Sequence, residues 1–275
     1  MTRWSIFGAM AGALLALVLF APAAWLAGAL ASATEQRLVL ADARGTVWNG
    51  NAVLVLTGGV GSRDASALPD RLHWRLRPEG LGLQVRVSQP CCLNGELRLR
   101  LAAGLERLHI ELPAEAALAG AGPASSGSRA LGQWPASWLV GLGTPWNTLQ
   151  PSGTLQISSP GLVLEQVQGR WRFSGRVELT LATLASRLST LDSLGSYRLT
   201  LSGDAAAGEA AQLQLLTTEG ALQLSGSGQL LGAGAASRLR FRGQASAAAG
   251  FEAALGNLLN IIGRRQGAAS LISIG

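Results

Sequence analysis

The chain of 275 residues is 48% hydrophobic and only 14% charged, with a net charge of +6. That length allows one large domain or two modest ones, and so much apolar material excludes global disorder. All 22 basic residues are arginine, which excludes a lysine nucleophile, a Schiff base or a phosphate-loop lysine.

From Trp4 to Thr34 no residue is charged. A bilayer core needs about 20 apolar residues in a helix, so this run predicts a transmembrane anchor, kinked at Pro22, with Trp4 and Trp25 as interfacial residues. Arg3 and the amino terminus place the start in the cytoplasm and the bulk of the chain beyond the inner membrane. The competing reading is a signal peptide cleaved at Ala31–Ala33. An apolar run longer than the usual 7–15 residues or so favours a retained anchor. Either way nucleic acid is removed as a partner.

Beyond residue 35 the pattern changes to period two. "RLHWRLR" sets Leu72, Trp74 and Leu76 against Arg71, His73, Arg75 and Arg77. "LGLQVRVS", "GELRLRL" and "LERLHIEL" repeat the alternation through Leu112. Such runs, separated by Gly, Pro and Asn-Gly, predict half-buried antiparallel strands. Ala114 to Gly132 is rich in Ala, Gly and Ser and reads as a poorly ordered linker. Pro135 opens a short helix that Pro145 ends. Strands are expected again at 154–158, 162–167, 170–174, 176–181, 197–202, 211–217, 221–225 and 238–242. A short helix is expected over 181–194. A better one starts at Phe251 with Arg264 and Arg265 at its C-terminal end, where the helix dipole favours cations. The last stretch, "AASLISIG", is expected to pair on a sheet edge within the fold, with a partner's strand as the alternative.

Certain segments recur. Gly45 and Gly169 open similar Trp-bearing stretches 124 residues apart, and two later strand pairs repeat at an offset of 125, Arg71 to Ser196 and Gly95 to Gly220. This predicts a mainly β fold: an N-terminal transmembrane helix, then a duplicated antiparallel β-sheet module with short helices, the second copy covering the apolar face of the first. The expected units are 1–34 (cytoplasmic N-terminus and anchor), 35–132 (first β unit and linker) and 133–275 (short helix, second β unit and C-terminal helix).

Catalytic chemistry is thin. The two histidines, His73 and His109, lie on polar strand faces among arginines, as solvated surface residues do. No metalloprotease, nucleophile-elbow or dinucleotide motif occurs, and the 16 acidic residues are scattered. No catalytic residue, cofactor or metal is predicted. Adjacent Cys91 and Cys92 are the only cysteines. Their Cα atoms are about 3.8 Å apart across a trans peptide, below the usual disulfide range, so a bridge would be strained and two small loop residues are the expectation. The forked arginines on the strand faces are suited to carboxylates or to plain solvation.

Three segments together carry a resemblance: "GTVWNG" after the apolar run, "ASWLVGLGTPWNTLQPSG" in the middle, and "LGNLLNIIGRRQGAASLISIG" at the end. They resemble the N protein of the bacterial type II secretion system, over nearly the whole chain. The resemblance implies a single-pass inner-membrane protein with a periplasmic β-domain and no catalytic activity. Its partners would be the inner-membrane platform components L and M and the periplasmic domains of the outer-membrane secretin. The motif positions are Gly45, Trp48, Gly50, Trp138, Pro145, Trp146, Asn147, Gln150, Gly153, Gly263, Arg264, Arg265 and Gly275, as structural or interaction residues. The adjacent cysteines have no counterpart in that pattern. An envelope lipid-binding or lipid-bridging groove protein is the alternative, with a periplasmic hydrolase a distant third.

Overall fold

The computed structural model describes residues 2–104, 107–113, 129–167, 170–204, 210–231 and 238–275. Most of the expected linker, residues 114–128, and Gly169 of the repeat lie outside them, as does the Trp4 side chain.

Two helices come first, α1 (Thr2–Leu19) and α2 (Ala23–Ala33), broken at Pro22. Among the described residues no helix is long and apolar enough to cross a membrane. On α1, Phe7, Leu14, Leu15, Leu17, Val18 and Phe20 just beyond it are all at least half exposed. By contrast, α2 packs on the sheet: Ala23 is sealed, and Leu26, Ala27 and Leu30 rest against Leu40, Ala52 and Trp74.

Among the described residues the body is one antiparallel sheet of fifteen strands. The strands are β1 (Leu38–Gly45), β2 (Asn49–Thr57), β3 (Ala65–Glu79), β4 (Gly82–Ser88), β5 (Glu96–Ala103), β6 (Arg107–Leu112), β7 (Arg129–Pro135) and β8 (Pro151–Val167). They continue with β9 (Arg170–Ser186), β10 (Gly195–Gly203), β11 (Ala210–Glu219), β12 (Leu222–Leu231), β13 (Arg238–Ala247), β14 (Arg264–Gln266) and β15 (Ala269–Ile274). Neighbours in sequence are nearly always neighbours in space, from β1 at one edge to β15 and β14 at the other. The long β8–β9 hairpin is the spine. On its outer side β6 pairs with residues 162–167 and β7 with residues 154–159, so two short strands share one edge of β8.

The register carries one apolar face across the sheet. Trp74 stands opposite Val87, Val87 opposite Leu97, Leu101 opposite Ile110, Ile110 opposite Leu164 and Leu164 opposite Phe173. In the second half Leu181 faces Tyr197 and Leu199 faces Leu215. Side chains alternate faces with period two, so the arginines collect on the opposite face.

Helices α2 and α4 (Glu252–Ile262) both sit on the apolar face. α4 seals Leu255, Leu258 and Leu259 against Tyr197, Leu222 and Ala245. Each of those leucines contributes about 1.5–3 kcal/mol by leaving water. A 3-10 turn (Ala136–Leu142) packs on β2, β3 and β8, and α3 (Trp146–Leu149) packs on that turn. Over β4 to β6 the leucines, valines and Ile110 are half-buried, except Leu112, which is buried with Leu131 of β7.

Several expectations need correction. The two halves lie edge to edge in one sheet, so neither stacks over the other's apolar face. Ladder continuity from β6 into β8 favours this, because stacking would leave both edges unpaired. The repeat spacing nevertheless carries β2, β3, β4 and β5 onto β9, β10, β11 and β12. The four strands expected over 154–181 merge into two of 17 residues, bent at a bulge between Ser158 and Gly161. No helix forms over 181–194: β9 runs to Ser186, where pairing with β8 and β10 overrides helical spacing. The end of the expected linker, 129–132, is strand. Pro145 separates two short helical turns, and Arg264 and Arg265 belong to β14.

Candidate functional site

The motif residues fall into three structural devices. The first is a joint between α1 and the sheet. Gly45 turns β1 out at φ +89°, where a side chain would strike the Asn49 carbonyl. The Trp48 ring is thereby aimed at α1, and its Nε1–H donates to the Val18 carbonyl at 2.7 Å. That carbonyl lies in the last turn of α1, where helix acceptors lack a partner within the helix. The Val47 N–H donates to Ala21 at 2.9 Å, and Pro22 bridges Thr46. Gly50 lies under the Trp74 ring, which leaves no room for a Cβ, and Trp74 Nε1–H donates to Thr46 and Val47 carbonyls at 3.3 and 3.1 Å. The break at Pro22 is thus held at both ends by one short turn.

The second device brackets the β2–β3 loop to the spine. Trp138 Nε1–H donates to the Ser66 carbonyl at 3.0 Å, and Gly141 fits flat against Leu56 and Ser66 backbone. Asn147 Nδ2 donates to Asp64 Oδ2 at 3.0 Å. Pro145 follows Thr144 through a cis peptide, and Trp146 starts α3 half-buried. Gln150 ends α3 at φ +41°, its N–H bonded to the Trp146 carbonyl at 2.9 Å. Gly153, at φ +121°, faces the Ala182 and Thr183 carbonyls.

The third device is the far edge. Gly263 lets the chain turn from α4 into β14 against the Leu271 carbonyl. Arg264 and Arg265 are exposed, and Gly275 lies against the Arg240 backbone. The first two devices meet at β2 and β3, the third lies at the opposite end of the sheet, and the motif residues converge on no common pocket.

The cysteines are joined, with S–S at 2.07 Å, in the turn before β5. This corrects the expectation of two unbonded loop residues. Their turn docks β7: the Gln133 N–H donates to the Cys92 carbonyl at 2.7 Å and Asn94 N–H to Leu131 at 3.1 Å. A buried Gln89 donates to the Asp70 carbonyl at 3.0 Å behind it.

On the polar face the first half of the sheet is ion-paired. Asp42 accepts from Arg44 and Arg71, each at 2.8 Å, and those guanidinium groups, Arg44 foremost, hold its carboxyl below the usual range. Glu96 lies 3.7 Å from Arg86 and 3.2 Å from Arg98; Arg100 sits 3.9 Å from both Glu79 and Glu111. His109 Nδ1 is 3.0 Å from Glu165, a cross-strand partner that strand alternation alone does not reveal; His73 is exposed. In the core, burial pushes the Tyr197 phenol far above its ordinary value, with its hydroxyl donating to the Leu222 carbonyl at 3.0 Å. Among the described residues no group of three or more His, Cys, Asp or Glu side chains is placed to hold a metal ion.

Asp64, Ser66 and Asp42 do much of this fixing, and no motif singles them out. Their only signal is position, in or beside turns flanking strands. Comparison with curated proteins and with solved structures gives no match. The family model for the type II secretion system, protein N, matches residues 36–271, from just after α2 into β15. With that match spanning nearly the entire sheet, the chain belongs to the type II secretion system protein N family and is a component of that secretion machinery.

Proposed function

We propose that this chain is a non-enzymatic assembly component, tethered to the inner membrane by α1, whose sheet stands in the periplasm and binds the platform proteins, the secretin, or both. The observation that carries the tether is the apolar surface of α1, exposed on every described side. A helix apolar all round calls for a lipid or protein environment. Its 18 residues are about 27 Å long, a few ångströms short of a hydrocarbon core of about 30 Å. Trp48 then fixes the sheet relative to the membrane. Carbonate extraction of envelopes and protease access to intact spheroplasts test the tether. Release of the full chain by carbonate, or protection of the sheet from external protease, would defeat it. Pull-down of secretin periplasmic domains with the detergent-solubilised chain tests the partner; no binding at low ionic strength would count against it.

A lipid-groove reading is favoured by one observation: the apolar side chains of β4 and β5 are half-buried, and among the described residues no second sheet lies upon them. Native mass spectrometry separates the two readings, since a groove protein retains phospholipid after gentle purification and a pure assembly protein does not.

A further inference from the structure

The last strands differ from the rest of the sheet in three ways that meet at one place. First, β14 pairs only with Ala269, Ser270 and Leu271 of β15. Beyond it, Ile272, Ser273 and Ile274 pair with β13 on one side; on the other, Gly263 lies against Leu271 and Ile272, while Ser273 and Ile274 meet no described strand. Second, Arg238, Arg240, Arg242, Arg264 and Arg265 are all exposed. Among the described residues none of them has a carboxylate within ion-pair distance, although most polar-face arginines of the first half have one. Third, a cleft of about 610 Å³ opens across β12, β13 and β15 beside this edge, lined by Ser227, Gln229, Arg240, Arg242, Ser273 and Gly275 among others.

The geometry of that cleft is selective. Arg242 stands opposite Ser273 and shares its face. One strand-step further along, Arg240 lies against Gly275. Beside Arg242 the edge strand therefore carries only the Ser273 hydroxymethyl group, and beside Arg240 no side chain at all. Strands are spaced about 4.8 Å apart, so a strand added outside β15 lies two steps, about 10 Å, from β13. An arginine side chain extended over Ser273 or Gly275 reaches a carboxylate on that strand. Ile274, 48% exposed, offers the apolar contact on the other face.

We propose that this edge takes an extended segment of a partner protein as an added strand, with acidic residues over Arg240 and Arg242 alternating with apolar residues against Ile272 and Ile274. Main-chain bonds along Ile272–Ile274 supply affinity, and the two arginines select sequence by charge. This rests on the assembly reading above and specifies the surface and the partner's chemistry.

The full-length chain in detergent is titrated with three fluorescent decapeptides: alternating Val-Glu, alternating Val-Lys, and Val-Glu N-methylated on alternate residues. The Val-Glu peptide is expected to bind at least about tenfold tighter than either other peptide. Its binding should weaken with salt and slow amide exchange at Ile272–Ile274. Arg240→Glu/Arg242→Glu should abolish the preference, and Ser273→Leu, which blocks the path, should weaken it while leaving the circular dichroism spectrum unchanged. Equal binding of Val-Glu and Val-Lys, or unchanged binding by the double variant, overturns the proposal. So does binding only of phosphatidylglycerol vesicles in a manner sensitive to the same variant, because the face then meets lipid. Cargo secretion in cells separates the two layers. If deleting the chain leaves secretion intact while the peptide preference holds, the assembly reading fails and the edge stands. If deletion abolishes secretion but the double charge reversal does not disturb it, the assembly reading stands and the edge is not its docking surface.

Discussion

The two halves of the sheet are built alike on the apolar side and differently on the polar side. In the first half, Trp74 is buried beneath α2 and bonded to turn carbonyls; in the second, Tyr197 is buried beside α4 and bonded to the carbonyl of Leu222 at the start of β12. Yet the arginines of β3 to β5 mostly meet carboxylates, while those of β13 and β14 meet none among the described residues. The difference teaches that alternation decides where an arginine points, and the strand next door decides whether it is used up within the molecule.

The comparison breaks most forcefully in the core. If both halves depend equally on their buried centres, Trp74→Ala should cost about 3–5 kcal/mol and Leu258→Ala about 2–5 kcal/mol in urea unfolding, in one shared transition. Two separate transitions would mean that the halves are energetically independent despite their common ladder. Smaller is Tyr197→Phe, which loses one buried hydrogen bond and about 1 kcal/mol. It also changes the alkaline limb. The folded phenol keeps its proton above the ordinary 10.0 while the unfolded one releases it, so stability present below pH 10 is lost as pH climbs further. The variant should lack that loss.

Smaller still are the surface charges. Arg71→Ala removes bonds to Asp42 and Asn51 and should lower the urea midpoint. Arg240→Ala breaks no internal pair and should shift stability by less than about 0.5 kcal/mol. A matching loss at Arg240 would erase the contrast between the halves. The smallest effect is acid sensitivity at Asp42. Its folded carboxyl is depressed below 3.8 by Arg44 and Arg71, so its contribution is present above that value and fades as pH falls through the folded one. Asp42→Asn should flatten the stability profile below about pH 4.

The strands were legible because a half-buried ladder writes itself as alternation: β3, β4, β5 and β6 fall where Leu72–Leu112 predicts them. The α4 helix was legible from Leu255, Leu258 and Leu259 on one side. What stayed hidden was long-range. Whether a second copy stacks on a face or joins an edge depends on pairing between Arg107–Leu112 and Leu162–Val167, strands about 55 residues apart whose pattern fits either arrangement. Helical spacing at 181–186 yielded to two flanking strands, which local sequence does not report. The cystine stayed hidden because adjacency argued against it, while docking of β7 on Cys92 is visible only in the folded chain. For the candidate sites, motif positions located the joint, the bracket and the edge, but their partners Asp64, Ser66 and Val18 emerge only in three dimensions.

The order of pairing has a consequence for how this molecule is made. From β1 to β6 and from β8 to β13 every strand is zipped to the one just synthesised before it, so loop closure is cheap at each step and the growing ladder extends like a meander. A chain delivered N-terminus first satisfies each hairpin as it emerges and, besides the outer edge of β1, leaves only the newest strand open. The final strand, β15, closes onto β13 only after α4 and β14 have been made, and β14 lies on its outer side; maturation is therefore completed at the very border proposed to recruit a neighbour.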